Sequence, residues 1–187
     1  MTHVRLPTLA PEAYSEAQKQ AAQVFAAQRG APVFGPFGVL IRSPEVMTHA
    51  SALGEYLRYR SAIGTRLSEL AILVVARQWT QDYEWSAHAP IALKVGIAPA
   101  IVEAIADGRR PEGMGDDEAV VHDFSIELQR NRRVSDVTYG RALALFGEQG
   151  VIDLTAINGY YSLLAMTMNV ARTPIPENGT RLPRLPE

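Results

Sequence analysis

"RLSELAILVVARQWTQDYEWSAHAPIALKVG", Arg66 to Gly96, is the stretch that decides the fold. Its segment "LAILVVARQW" is apolar nearly all round, which marks a buried helix. Thr65 stands before it as an expected cap, with Ser68 and Glu69 in the first turn. Thr80 to Asp82 reads as a break, and either Thr80 or Asp82 is placed to cap a second helix carrying Tyr83, Glu84, Trp85 and His88. Gly96 ends that helix. Glu69, Glu84 and His88 therefore lie in helical, apolar sequence, where charge is costly unless paired.

The same periodicity extends in both directions. "PEAYSEAQKQAAQVFAAQRG" opens with Pro11, closes with Gly30 and puts Ala17, Ala21, Val24 and Phe25 on one apolar face. "APVFGPFGVLIRSP" reads as a structured loop around one short helix. Ser43 and Pro44 start the next helix, with Val46, Ala50, Leu53 and Leu57 as its expected stripe. "APAIVEAIADG", "DDEAVVHDFSIELQRNR", "SDVTYGRALALFGEQG" and "DLTAINGYYSLLAMTMNVA" supply the remaining helices, with Ser135 as a cap. No run alternates with period two between turn dipeptides, so strands are not expected. The expectation is an all-α, single-domain bundle of roughly eight helices over 1–187. It comprises an N-terminal arm to about residue 34, a core over about 35–171 and a proline-rich tail over 172–187 running across this or a neighbouring subunit.

Composition excludes several classes of function. The net charge is -2, with 20% charged residues, so no basic footprint for nucleic acid or an anionic membrane exists. There is no cysteine, which removes disulfides, thiolate catalysis and cysteine-ligated zinc. The first residues carry no signal-like apolar region, and Ile157 to Ala171 is too short and too polar for a membrane span, so the expected location is cytoplasmic.

Glu84 and His88 are four apart and share a helix face. An imidazole can take or give a proton near neutrality, a carboxylate can orient it, and a carboxyl in an apolar wall can become a donor. A satisfied, non-catalytic Glu–His pair is the alternative. In an ideal hairpin Glu69 overshoots His88 by roughly two turns, so a crossing angle or an intermediate group must bring them together. A metal reading is weaker: neither Glu-x-x-His in two copies nor His-Glu-x-x-His is present. Arg77 either pairs with Glu69 or another carboxylate, or binds an anionic substrate. Trp79 and Trp85 fit core or pocket wall. Tyr160 and Tyr161 fit packing, with one hydroxyl available to the site. His49 and His122 are each alone on a helix and fit surface or half-buried positions.

The stretch "LSELAILVVARQWTQDYEWSAHAPIALKVGI", with "GPFGVLIRSPEV" before it and "GYYSLLAMTMNVARTPIP" after it, resembles the carboxymuconolactone decarboxylase and alkyl hydroperoxidase D-like superfamily. Arg66-Leu-Ser-Glu69 matches that family's Arg-x-x-Glu. Its two peroxidatic cysteine positions fall here on Gln81 and Glu84, while His88 keeps the histidine position. The resemblance therefore implies a decarboxylase-like member lacking the Cys-x-x-Cys pair, since thiol peroxidase chemistry needs both thiols. It implies a lyase without metal or organic cofactor, acting on a small carboxylated lactone or keto acid, as in aromatic compound catabolism. His88, Glu84 and Glu69 are its expected catalytic residues, and Tyr83, Arg77 and Trp85 its expected substrate contacts. It also implies a homo-oligomer, a trimer or hexamer. A non-catalytic member that binds a small acid and a metal-dependent enzyme using the same residues are the alternatives.

Overall fold

The computed structural model describes residues 3–185; Pro186, counted above with the tail, lies outside them. After a 3-10 turn at Pro11–Ala13 come α1 (Glu16–Arg29), α2 (Phe37–Leu40), α3 (Pro44–Tyr59), α4 (Gly64–Gln78), α5 (Asp82–Lys94), α6 (Pro99–Ala106), α7 (Asp116–Asn131) and α8 (Asp136–Ala171). No strand occurs among the described residues. One hydrophobic cluster draws side chains from all eight helices, so the all-α, single-domain expectation holds. No helix among the described residues is long and apolar enough to cross a membrane.

The apolar run forms the centre. In α4 every residue from Leu67 to Arg77 is buried, and α3, α5, α6, α7 and α8 all pack on it. Such a helix has no solvent face for polar side chains, so each one it carries must find a partner or line a cavity.

The helix starts differ from expectation in two places. Thr65 is not a cap: Gly64, at φ +76, turns the chain directly into α4, and Ile63 precedes it without a side-chain bond. Neither Thr80 nor Asp82 caps α5. Thr80 takes a left-handed turn position at φ +47, and Gln81 Oε1 accepts from Tyr83 N at 2.7 Å instead. Asp82 is engaged by the tail, accepting from Leu182 N at 3.1 Å and from the Arg184 guanidinium at 2.6 Å. Residues 172–185 are indeed non-helical. They run back along the α4–α5 turn, where Leu182 is buried and the Pro183 carbonyl accepts from Arg77.

α1 starts at a Ser15–Gln18 capping box rather than at Pro11, which lies in the 3-10 turn. Ser135 caps α8 as expected, accepting from Thr138 N at 3.3 Å. Gly147, at φ 65 and ψ −178, breaks α8 into the two helices that the sequence indicates. The stripe of α3 is rotated from its expected setting. Val46 and Leu53 are 45% and 44% exposed, while Met47, Ala50, Ser51, Gly54 and Leu57 face inward. The reason is Gly54: a Cβ there would stand 2.1 Å from the Tyr160 hydroxyl, so glycine lets α3 and α8 approach. That rotation aims Arg58, four residues on, at α4.

Candidate active site

Glu69 and His88 meet directly. Glu69 Oε2 lies 2.6 Å from His88 Nδ1, with the carboxylate fully buried. The two-turn overshoot of an ideal hairpin does not arise, because residues 79–81 form the turn itself. Glu69 lies nine residues before the end of α4 and His88 six after the start of α5. The excess is three residues, about 4.5 Å at 1.5 Å per residue, within reach of a glutamate side chain. The other carboxylate oxygen of Glu69 accepts from Arg58 Nε at 3.3 Å. With Glu69 also accepting from Arg58, the short contact is assigned with Nδ1 of His88 as the donor, and Nε2 has no partner among the described residues.

Glu84 is placed quite differently. Both its carboxyl oxygens are buried and neither has a hydrogen-bond partner among the described residues. Burial alone, with no neighbouring cation to offset it, holds its pKa well above the usual carboxylate range. Glu84 therefore does not orient His88, although the two share a face four residues apart; Glu69 does that. The satisfied Glu84–His88 pair is not present.

Glu84 and His88 open on one cavity of about 220 Å³, walled by Phe34 and Phe37 on one side and Tyr160, Tyr161 and Leu164 on another. The Tyr161 ring meets His88 edge-on at 5.2 Å, and Tyr160 meets Tyr161 at 5.2 Å in the same manner. Burial raises the hydroxyl pKa of both tyrosines, so both stay protonated as potential donors. Arg29 and Arg58 bring positive charge to the rim. Arg29 donates to the Ser51 carbonyl at 3.2 Å, and its Nε is buried without a partner.

Of the expected substrate contacts, Tyr83 lines this cavity, its hydroxyl against Gly35. Trp85 does not: it follows Glu84 by one position, about 100° around the helix, and is buried in the core. Arg77 does not either. It is not paired with Glu69 and lines another cavity. His122, expected at the surface or half-buried, is buried there too. Gln81 is spent on capping α5 and donates to Asn169 Oδ1 at 2.8 Å. No three His, Cys, Asp or Glu side chains among the described residues are grouped to hold a metal ion.

Arg29, Arg58, Phe34 and Phe37 come from α1, α2, α3 and the loop before α2, and sequence reasoning did not reach them. One signal was available: Ser51, Gly54 and Arg58 recur at helical spacing. A stripe of two small residues and a cation does not look like an inward face.

No protein-family model matches the chain, and none of the curated proteins matches it. Among solved structures it is similar to the alkylhydroperoxidase AhpD core of an uncharacterized peroxidase-related protein from Ralstonia eutropha JMP134. The TM-score is 0.74 and the identity 14%, covering 95% of each chain. At that identity the likeness shows a shared fold.

Proposed function

We propose that this chain is a carboxymuconolactone decarboxylase-like lyase that removes carbon dioxide from a small carboxylated lactone or keto acid without a cofactor. The observation that carries the reading is Glu84: a buried carboxyl with both oxygens unpartnered in a cavity wall, beside a histidine already oriented by Glu69. Buried polar groups in native proteins are normally hydrogen-bonded to protein or to ordered water, and Glu84 has no protein partner among the described residues. A protonated carboxyl left unsatisfied at a cavity is a donor reserved for a ligand, as is a carboxylic acid kept neutral to stabilise an oxyanion.

The chemistry follows from these placements. Arg29 and Arg58 attract an anionic substrate into the cavity. The bond to the substrate carboxylate breaks, carbon dioxide leaves, and the electron pair passes onto the adjacent carbonyl as an enolate. Glu84 donates a hydrogen bond to the enolate oxygen. The protonated Nε2 of His88 gives its proton to the carbon, while Glu69 stabilises the imidazolium through Nδ1. Solvent restores the proton, so one proton is consumed for each carbon dioxide released. Tyr83 is placed to bond a substrate oxygen. The absence of cysteine speaks against a thiol peroxidase role.

Carbon dioxide release from a panel of carboxylated lactones and β-keto acids tests the proposal. His88→Ala is expected to lose about 10²–10⁴-fold in kcat, the usual worth of a positioned acid or base. Full turnover in His88→Ala overturns the reading. Tight binding of an acid with no release throughout the panel favours a small-acid binding protein instead. A homo-oligomer, trimer or hexamer, belongs to the same proposal. It is supported by exposed Val137, Ile152, Met166 and Val170 along α8, and light scattering of the purified chain tests it.

A further inference from the structure

A second cavity, also of about 220 Å³, shares no lining residue with the first. It lies where the last turn of α4 meets α6 and α7, and four arginines line it: Arg77, Arg109, Arg110 and Arg130. Asp123 is the only carboxylate in its wall among the described residues. That carboxylate is fully engaged. Arg110 holds it through two bonds at 3.0 and 3.1 Å, and Arg141 and His122 Nδ1 each approach within 3.2 Å. Arg109 is paired with Asp107 at 2.9 Å.

Arg77 and Arg130 have no such partner. Arg77 is 5% exposed, and no carboxylate among the described residues forms an ion pair with it. Its Nη1 donates to the carbonyls of Ala106 and Pro183 at 3.1 and 2.7 Å, and its Nη2 to Thr80 Oγ1 at 2.9 Å. A guanidinium has five N–H donors. Nε and one Nη2 hydrogen are therefore unassigned. Arg130 donates from Nε to Gln78 Oε1 at 3.1 Å, which leaves both its terminal amino groups. Carbonyls at the end of α6 and in the tail account for one edge of Arg77, since helix C-termini favour cations. They do not neutralise its charge, and Asp82, the carboxylate that acts on Arg77 through space, is itself held by Arg184; unpaired buried charge is costly.

Gln78 and His122 add polar groups to the wall, and Val74, Ile105 and Ile126 form its apolar part. A dry cavity of about 150 Å³ accepts benzene, so a ring-sized body fits here. We propose that this second cavity binds the oxyanion group of a small organic acid. Arg77 and Arg130 grip the oxyanion through their unassigned donors, and Val74, Ile105 and Ile126 hold the apolar body. A carboxylate and a phosphate monoester share this chemistry, because the guanidinium fork matches either.

Titration of the full chain with benzoate, phenyl phosphate and neutral benzamide separates the possibilities, followed by calorimetry and by amide shifts in NMR. At least one anion is expected to bind tenfold or more tightly than benzamide, with saturating shifts at Gly108, Arg109 and Ile126. The tighter of the two names the headgroup. Arg130→Gln, at an exposed position, is expected to weaken that binding fivefold or more without lowering Tm. Arg77→Lys keeps the charge but loses the fork and is expected to weaken it further; if it does not fold, Arg130→Gln alone decides. Equal affinity for benzamide overturns the proposal. So do shifts confined to Gly35 and Gly54 of the first cavity, or unchanged affinity in Arg130→Gln.

Discussion

The two cavities have equal volume and both carry arginines, but only the first holds an unpartnered carboxyl. The first is built around a carboxyl. Glu84 is buried alone, so it escapes the cost of charge by keeping its proton. The second is built around guanidinium groups. Arginine cannot lose its proton in a protein, so Arg77 meets burial with carbonyls and a hydroxyl. Burial and repulsion from Arg184 push its pKa down from the ordinary value. A buried acid adapts to an empty pocket by neutralising, whereas a buried guanidinium persists as a demand for an anion. The first cavity is consequently suited to moving a proton and the second to holding a charge.

The sharpest way to break this contrast is at the group that organises the first cavity. Glu69→Gln removes the carboxylate shared by His88 and Arg58 and leaves Arg58 without it. Losing one partner of a buried ionic pair costs about 3–5 kcal/mol. Urea unfolding should show that loss, and a change near zero means the network is not structural. Next comes Gly54→Ala. Its Cβ would meet the Tyr160 hydroxyl at 2.1 Å and the ring carbon behind it at 2.5 Å. Overpacking of this kind costs about 1–3 kcal/mol, and Tyr160→Phe in the same background should recover only part of it in thermal melts.

Glu84→Gln sharpens the comparison through pH. The folded pKa of Glu84 is raised above its unfolded value, so the folded state holds the proton longer. The stability this confers is complete below the unfolded pKa and is lost as pH rises through the folded one. Wild type should therefore lose Tm relative to Glu84→Gln as pH rises above the ordinary carboxylate range. Each tenfold weakening of the acid by burial is worth about 1.4 kcal/mol, or about 3–5 °C in a chain of this length. Parallel Tm curves for the two proteins contradict a neutral Glu84. The smallest effect is expected beside the second cavity. Arg184→Ala removes an exposed pair with Asp82, worth about 0–1 kcal/mol by chemical denaturation.

Much of the first site is legible in the amino-acid sequence alone. Glu69, Glu84 and His88 stand out because titratable groups in apolar, helix-patterned sequence are expensive, and an expensive residue advertises itself. Their roles were less legible. Helix spacing pairs Glu84 with His88, yet the bond to His88 comes from Glu69 on another helix. Trp85, an expected substrate contact, is turned by rotation around α5 into the core. Arg58 was hidden because its face of α3 is marked by Ser51 and Gly54, which carry no hydrophobic signal. The second cavity was legible only as Arg77, a cation in a buried run; its arginines from α7 and the α6–α7 connection lie about 30 to 50 residues further on.

The amino-acid sequence by itself determined the helices, the central burial of α4 and the exclusion of thiol chemistry. Each depends on local periodicity or on residue identity, which a chain carries without folding. Only the tertiary structure decided which carboxylate orients His88, that Glu84 has no partner, and that Arg77 faces a different cavity. Those outcomes depend on how helices rotate about their axes and how closely they approach. A single glycine at position 54 sets one such approach, and side chains dozens of residues apart then settle which charges are paired.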